Sequence, residues 1–228
     1  GLHVSAVQKN PKTYEHINPE EVGNSRNIIV SDQAGKSNII SRLKTIGVEI
    51  EENDPKVKKL LEEVKDREFI GYSYDGADAS FELLARRIIG EIPRYILIKE
   101  YDVSVKKDSS GKIISRAKAQ LEVDGEKIIC EGEGNGPVNA LDNAIRQNVD
   151  RLVKYSKYLK DLKLVDYKVR ILNTGTEAVT RVSIESTDSK GKNWFTIGVS
   201  ANIIDASFKA LVDSLDYKLF KDNAPASL

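Results

Sequence analysis

The sequence predicts an α+β protein: a helical segment followed by two tandem, pseudo-symmetric β-β-β-α units. Three observations carry this. Tyr101-Asp102-Val103-Ser104-Val105 returns as Tyr167-Lys168-Val169-Arg170-Ile171, and Gly125, Gly132, Ala140 and Ala144 return as Gly191, Gly198, Ala206 and Ala210, every pair 66 residues apart. Self-similarity at one fixed offset marks a supersecondary unit written twice. The apolar period is helical before Arg94 and close to two after it. Each run of strands then leads through a turn-rich loop into a helical pattern.

Taken in order, residues 1–36 are turn-rich, with Asn10-Pro11, Asn18-Pro19, Gly23-Asn24 and Gly35 as punctuation. They form a first linker piece expected to lean on a body outside this chain, which begins Gly1-Leu2-His3 and reads as part of something larger. Residues 37–93 read as a helical linker. Ile39, Ile40, Leu43 and Ile46 keep helical spacing up to Gly47. Asp54 is an N-cap with Pro55 at the first helical position, ahead of Val57, Leu60, Leu61 and Val64. A third helix runs from about Ala77 to Ile89, and Gly90 and Pro93 end it.

Residues 94–228 hold the repeats, 94–160 and 161–219. Ile96, Ile98, Tyr101, Val103 and Val105 make a strand, and Ala117, Ala119, Leu121 and Val123 alternate as the next. Asp124-Gly125 is a preferred two-residue hairpin turn, from which Lys127 to Glu131 returns. A helix carrying Val138, Leu141, Ile145, Val149 and Leu152 follows. In the second unit the strands are expected at 165–172, 178–186 and 193–199, with a helix from about Ile203 to Leu215.

Composition narrows the function. With 35 basic and 35 acidic residues the formal net charge is zero, which disfavours nucleic acid and anionic membrane as partners. No stretch approaches a membrane span. The single cysteine, Cys130, lies in an apolar run, reads as a small buried hydrophobe and suits a cytoplasmic, reducing setting. Two histidines, His3 and His16, lack metal-ligand spacing, so no metal site is expected within the chain. No complete catalytic constellation is present.

The loop Gly132-Glu133-Gly134-Asn135-Gly136-Pro137 lacks the Lys-Ser/Thr of a phosphate loop and opens no parallel unit. Its glycines either let a ligand reach the backbone or simply turn a strand into a helix. In the first case a carboxylate at the helix N-terminus is the fitting group. Ser200-Ala201-Asn202 stands at the equivalent place in the second unit.

Three blocks together resemble the carboxyl-terminal part of the citramalate synthases, within the isopropylmalate/homocitrate synthase group. They are Gly1 to Val7 with Tyr14 to Asn24, the stretch Gly71-Tyr72-Ser73-Tyr74-Asp75-Gly76-Ala77-Asp78-Ala79-Ser80-Phe81-Glu82-Leu83-Leu84, and Glu131 to Pro137 with its helix. The resemblance implies an upstream barrel, absent here, that binds a divalent metal and acetyl-CoA and condenses it with a 2-oxo acid. It also implies catalytic roles for His3 and Tyr14 in a partner subunit's active site. Two three-stranded sheets with exposed edges and half-covered faces are expected to pair as a homodimer through 94–219, and the regulatory domain that the resemblance implies binds a branched-chain amino acid, isoleucine first. The matching positions are Gly134, Asn135, Gly136, Pro137, Val138, Asn139, Leu164, Tyr167, Ile171, Ala201, Asn202 and Ile203. Helix N-termini would hold the carboxylate and Asn139 or nearby carbonyls the ammonium. Leu164, Tyr167, Ile171 and Val138 would wall an apolar slot, or else Leu164, Tyr167 and Ile171 are plain core strand residues. Alternatives are a structural dimerisation module with no effector, or a leucine-sensing domain.

Overall fold

The structure, a computed structural model, describes residues 35–93, 95–172 and 178–227. His3, Tyr14 and the other expectations for residues 1–34 lie outside the described residues. Helix α1 (Lys36–Thr45) stops before Gly47, where φ is +74°, a conformation glycine takes without strain. Helix α2 (Pro55–Phe69) starts as its sequence predicts: the Asp54 carboxylate accepts the Lys56 N–H at 2.8 Å. Helix α3 (Asp78–Ile89) follows. Ile39, Leu43, Val57, Leu60, Val64 and Phe81 bury one apolar face of this trio.

Two three-stranded antiparallel sheets come next, in the orders β1-β2-β3 and β4-β5-β6. The first has β1 (Leu97–Lys107), β2 (Ile113–Val123) and β3 (Glu126–Gly134), followed by α4 (Pro137–Gln147). A 3₁₀ turn (Val149–Arg151) and the short α5 (Ser156–Leu159) lead to β4 (Lys163–Ile171), β5 (Thr180–Thr187), β6 (Asn193–Ser200) and α6 (Ile203–Lys221). The β2–β3 turn has φ 53° at Asp124 and 78° at Gly125, the left-handed pair that two-residue hairpins favour. Both units carry a bulge at the same place, between Ile98 and Glu100 and between Leu164 and Asp166.

Small residues let each helix lie almost on its sheet. Ala140, Ala144, Ala206 and Ala210 are fully buried. A Cβ on Gly132 would fall 2.3 Å from the Ala144 nitrogen, and one on Gly198 would fall 2.0 Å from the Ala206 carbonyl oxygen. The repeated Gly132/Gly198, Ala140/Ala206 and Ala144/Ala210 are therefore the contact points of one packing solution used twice. Both sheets and both helices share one core that includes Leu121, Leu141, Val182, Ile184 and Leu219.

Two expectations change. The helix expected to run to Leu152 ends at Gln147, because the Asn148 side-chain amide donates to the Ala144 and Glu131 carbonyls and competes with further helix. Leu152 still reaches the core, through the 3₁₀ turn. The last helix continues to Lys221, beyond the expected end at Leu215.

Free strand edges are covered in two ways. On β3, the side chains of Asn143, Asn148 and Arg151 donate to the carbonyls of Glu133, Glu131 and Ile129. On β6, Ser80 of α3 accepts the Ile197 N–H at 3.0 Å while donating to Asp213 of α6 at 2.9 Å. Masking an edge in this way removes a template for strand addition. The edge strands β1 and β4 instead expose Val105, Val165, Val169 and Ile171. Among the described residues no helix is long and apolar enough to cross a membrane.

Candidate functional site

A cleft of about 550 Å³ opens where α4, β4 and α6 converge. The first turn of α4 supplies Gly136, Pro137, Val138 and Asn139, and its next two turns supply Asp142 and Arg146. Leu164 and Tyr167 come from β4 and Ile203 from α6. Alternation alone would put Leu164 and Tyr167 on opposite faces of β4. The bulge between Leu164 and Asp166 turns them to the same face.

The Tyr167 ring is fixed from behind. Its hydroxyl lies 2.9 Å from Ser207 Oγ, which itself donates to the Ile203 carbonyl at 2.6 Å. Having one proton to give, Ser207 receives that of Tyr167. This short chain ties the wall of the cleft to the first turn of α6.

Asp142 and Arg146, one helical turn apart, form an ion pair at the cleft. Burial pushes the Asp142 carboxyl above the ordinary carboxylate range, and Arg146 pulls it partly back. Arg146 Nε is buried with no hydrogen-bond partner among the described residues, although a buried donor normally has one. The α4 N-terminus has Pro137 in its first turn, and Gly136 supplies no side-chain cap. The Val138 and Asn139 amides therefore lack intrahelical acceptors. Together the cleft presents a carboxylate paired with a guanidinium, a helix N-terminus and an apolar wall.

Seven of the positions singled out in the sequence line this cleft: Gly136, Pro137, Val138, Asn139, Leu164, Tyr167 and Ile203. Gly134, Asn135, Ile171, Ala201 and Asn202 do not. A Cβ on Gly134 would meet Asn139 Oδ1 at 2.5 Å and the Ala140 nitrogen at 2.6 Å, so this glycine serves strand–helix packing. Ile171 is 69% exposed near the end of β4. Asn202 caps α6, accepting the Ile204 N–H at 2.8 Å, which closes the second helix N-terminus that was expected to bind an anion. Asn139 Oδ1 accepts the Asn135 N–H at 3.2 Å, so it serves its own loop before any ammonium. The cleft also includes Asp142 and Arg146, which the sequence does not single out. Their signal is a charged i,i+4 pair beside the apolar positions Val138, Leu141 and Ile145, where a plain amphipathic helix has no reason to carry it.

A smaller cleft of about 370 Å³ lies beside Trp194 and Lys218. Lys218 is 2% exposed and pairs with Asp161 at 3.4 Å, Asp188 at 2.8 Å and Asp222 at 2.8 Å. Its donors are satisfied, so it ties α6 to two loops. Among the described residues no group of three or more His, Cys, Asp or Glu side chains could hold a metal ion.

Comparison with known proteins gives two family matches along the chain and a set of similar sequences. Residues 75–219 match the LeuA allosteric (dimerisation) domain, and residues 1–69 match the homocitrate synthase post-HMGL domain-like family. A protein named (R)-citramalate synthase from Aquifex aeolicus is 48% identical over 225 residues, covering 97% of this chain and 42% of its own length. Its namesake from Geobacter sulfurreducens is 44% identical over 224 residues, with the same coverage. A probable 2-isopropylmalate synthase from Methanopyrus kandleri is 29% identical over 214 residues, covering 93% of this chain and 40% of its own length. The chain thus spans about two-fifths of the length of the relatives it matches, their C-terminal portion. By the match across both β-β-β-α units and α3, this chain belongs to the LeuA allosteric (dimerisation) domain family.

Proposed function

We propose that this chain is the regulatory portion of a citramalate synthase, an acyltransferase condensing acetyl-CoA with pyruvate, and that its cleft binds isoleucine as a feedback inhibitor. The observation that supports this reading is the Asp142–Arg146 pair beside an apolar wall. A zwitterion needs one group of each sign within a few ångströms. Asp142 receives the ammonium, and the exposed part of the Arg146 guanidinium with the first amides of α4 receives the carboxylate, in charge-assisted hydrogen bonds. Leu164, Tyr167, Val138 and Ile203 take the branched tail, whose full burial contributes about 1.5–3 kcal/mol. A divalent metal and acetyl-CoA belong to the catalytic barrel of the intact enzyme, with His3 and Tyr14 reaching into a partner's active site.

A homodimer fits the same reading. Val105, Val165, Val169 and Ile171 stand exposed on the edge strands β1 and β4, an arrangement soluble proteins usually bury by pairing. Light scattering of this chain at micromolar concentration should give twice its 25.4 kDa mass. A monomer would argue against the pairing.

Calorimetric titration with isoleucine, leucine and valine tests the ligand. Saturable binding ranked isoleucine first is expected. Leucine first would favour the second reading, the leucine-sensing domain of a 2-isopropylmalate synthase, the activity that one relative's name carries. No saturable heat from any of the three would leave a dimerisation module without an effector.

A further inference from the structure

The molecule contains a pseudo-symmetric mate of the cleft, and that mate is filled from within. The 66-residue offset carries Tyr167 onto Tyr101, Leu164 onto Ile98, Asp142 onto Phe208 and Arg146 onto Val212. The equivalence holds in three dimensions, because the bulges of β1 and β4 and the starts of α4 and α6 obey the same offset. Where the cleft has its charged pair, the mate has a benzyl and an isopropyl group. Phe208 is 3% exposed, and its ring meets Tyr101 edge to face with centroids 4.5 Å apart. Ile98, Tyr101 and Val212 pack on the same core cluster. The Tyr101 hydroxyl donates to Asp205 at 3.3 Å, so this ring too is held in place.

We propose that Phe208 is a built-in occupant of a second ligand pocket, leaving one open site per chain instead of two. Its contact with Tyr101 also indicates that the apolar side chain of an amino-acid ligand packs against the Tyr167 ring in the open cleft. The ligand's identity rests on the reading given above, whereas the filled pocket does not. The physical contrast is direct. An apolar side chain tethered to α6 reaches its aromatic partner without the loss of translational freedom that a free ligand suffers, so no dissolved ligand displaces it. The open cleft lacks such a tether, and its charged pair would be unsuited to one.

The 228-residue chain is titrated with isoleucine and, separately, with toluene, an apolar probe that enters dry cavities. Three forms are compared: wild type, Phe208→Ala, and the double variant Phe208→Asp/Val212→Arg. Wild type should take one isoleucine per chain and no saturable toluene. Phe208→Ala, shown folded by far-UV circular dichroism, should keep one isoleucine and gain toluene binding that raises Tm with probe concentration. The folded double variant copies the open cleft and should take two isoleucines. Should Phe208→Ala fail to fold, Phe208→Val opens a smaller cavity with the same toluene readout. A folded alanine or valine variant indifferent to toluene, or a wild type with two isoleucine sites, would overturn the proposal. If wild type binds no isoleucine while toluene stabilises Phe208→Ala, the effector reading fails and the filled pocket stands.

Discussion

Asp142 shows how a residue's role turns on its surroundings. Its carboxylate is buried, opposed by desolvation and supported by Arg146, at a place where an apolar side chain would stabilise the fold more simply. Asp142→Asn keeps the shape and removes the charge. It should weaken isoleucine binding roughly 10- to 150-fold, the worth of a charge-assisted hydrogen bond of about 1.5–3 kcal/mol. Tyr167→Phe should leave affinity nearly unchanged, since that hydroxyl is already committed to Ser207. Tyr167→Ala should weaken it strongly by removing the wall. Equal affinity in Asp142→Asn and wild type, read by calorimetry, would remove the charged pair from the site. Gly134 falls among the expected ligand positions because a glycine lets a ligand reach the backbone. Its neighbours are Asn139 and Ala140 of α4, so a substitution there acts on packing. That distinction needs the helix in place and is invisible in a run of glycines.

At the scale of elements, the repeat was legible because it is a packing constraint. Strand glycines Gly132 and Gly198 face the helix alanines at backbone contact, and no larger residue fits at these points. Gly198→Ala should therefore destabilise the chain by about 1–3 kcal/mol through overpacking, seen as a lower urea midpoint with an unchanged slope. Gly191→Ala, on an open turn with φ +70° and nothing within 4 Å, should cost less, as backbone strain alone. Equal losses would mean that close approach is not what Gly198 provides. The bulge in β4 was not legible. Period two continues across Val165 and Asp166 without a signal, because a bulge is decided by pairing with β5 and not by the strand's own pattern.

Across the whole molecule, α3 is fastened to α6 by a polar seam. Arg87 reaches Asp213 at 3.0 Å and Asp216 at 2.8 Å, and Glu82 holds Lys221 at 2.8 Å. The same α6 lines the cleft with Ile203 at its start, so one rod touches both the cleft and the helical linker. Burial pushes the Asp216 carboxyl up to about 7, with Arg87 opposing and Asp213 reinforcing the rise. The native state then holds a proton that the unfolded chain, near 3.8, has released. The resulting stabilisation is complete below about pH 4 and is lost as pH rises through about 7. The carboxylates around Lys218 act oppositely. Asp188 and Asp222 are held low despite the burial that opposes it, through hydrogen bonds with Lys218 among others, so their contribution is lost as pH falls below about 4. Asp216→Asn should flatten the decline between pH 5 and pH 7 and leave the acid limb intact. Urea midpoints that decline equally in both forms would assign the slope elsewhere.

What the sequence determined by itself was local or repeated: helix starts at Asp54-Pro55, the Asp124-Gly125 turn, the alternation of β2, and two copies of one strand-and-helix unit. These follow from backbone preferences and short-range periodicity, which neighbours along the chain suffice to express. The tertiary structure alone decided which of two equivalent pockets is open. Asp142 and Phe208 occupy the same place in their units, and each is a buried side chain on its own helix. Only the meeting of α4 with β4, and of α6 with β1, makes one a charged wall and the other a plug, because burial and polarity are properties of what surrounds a side chain.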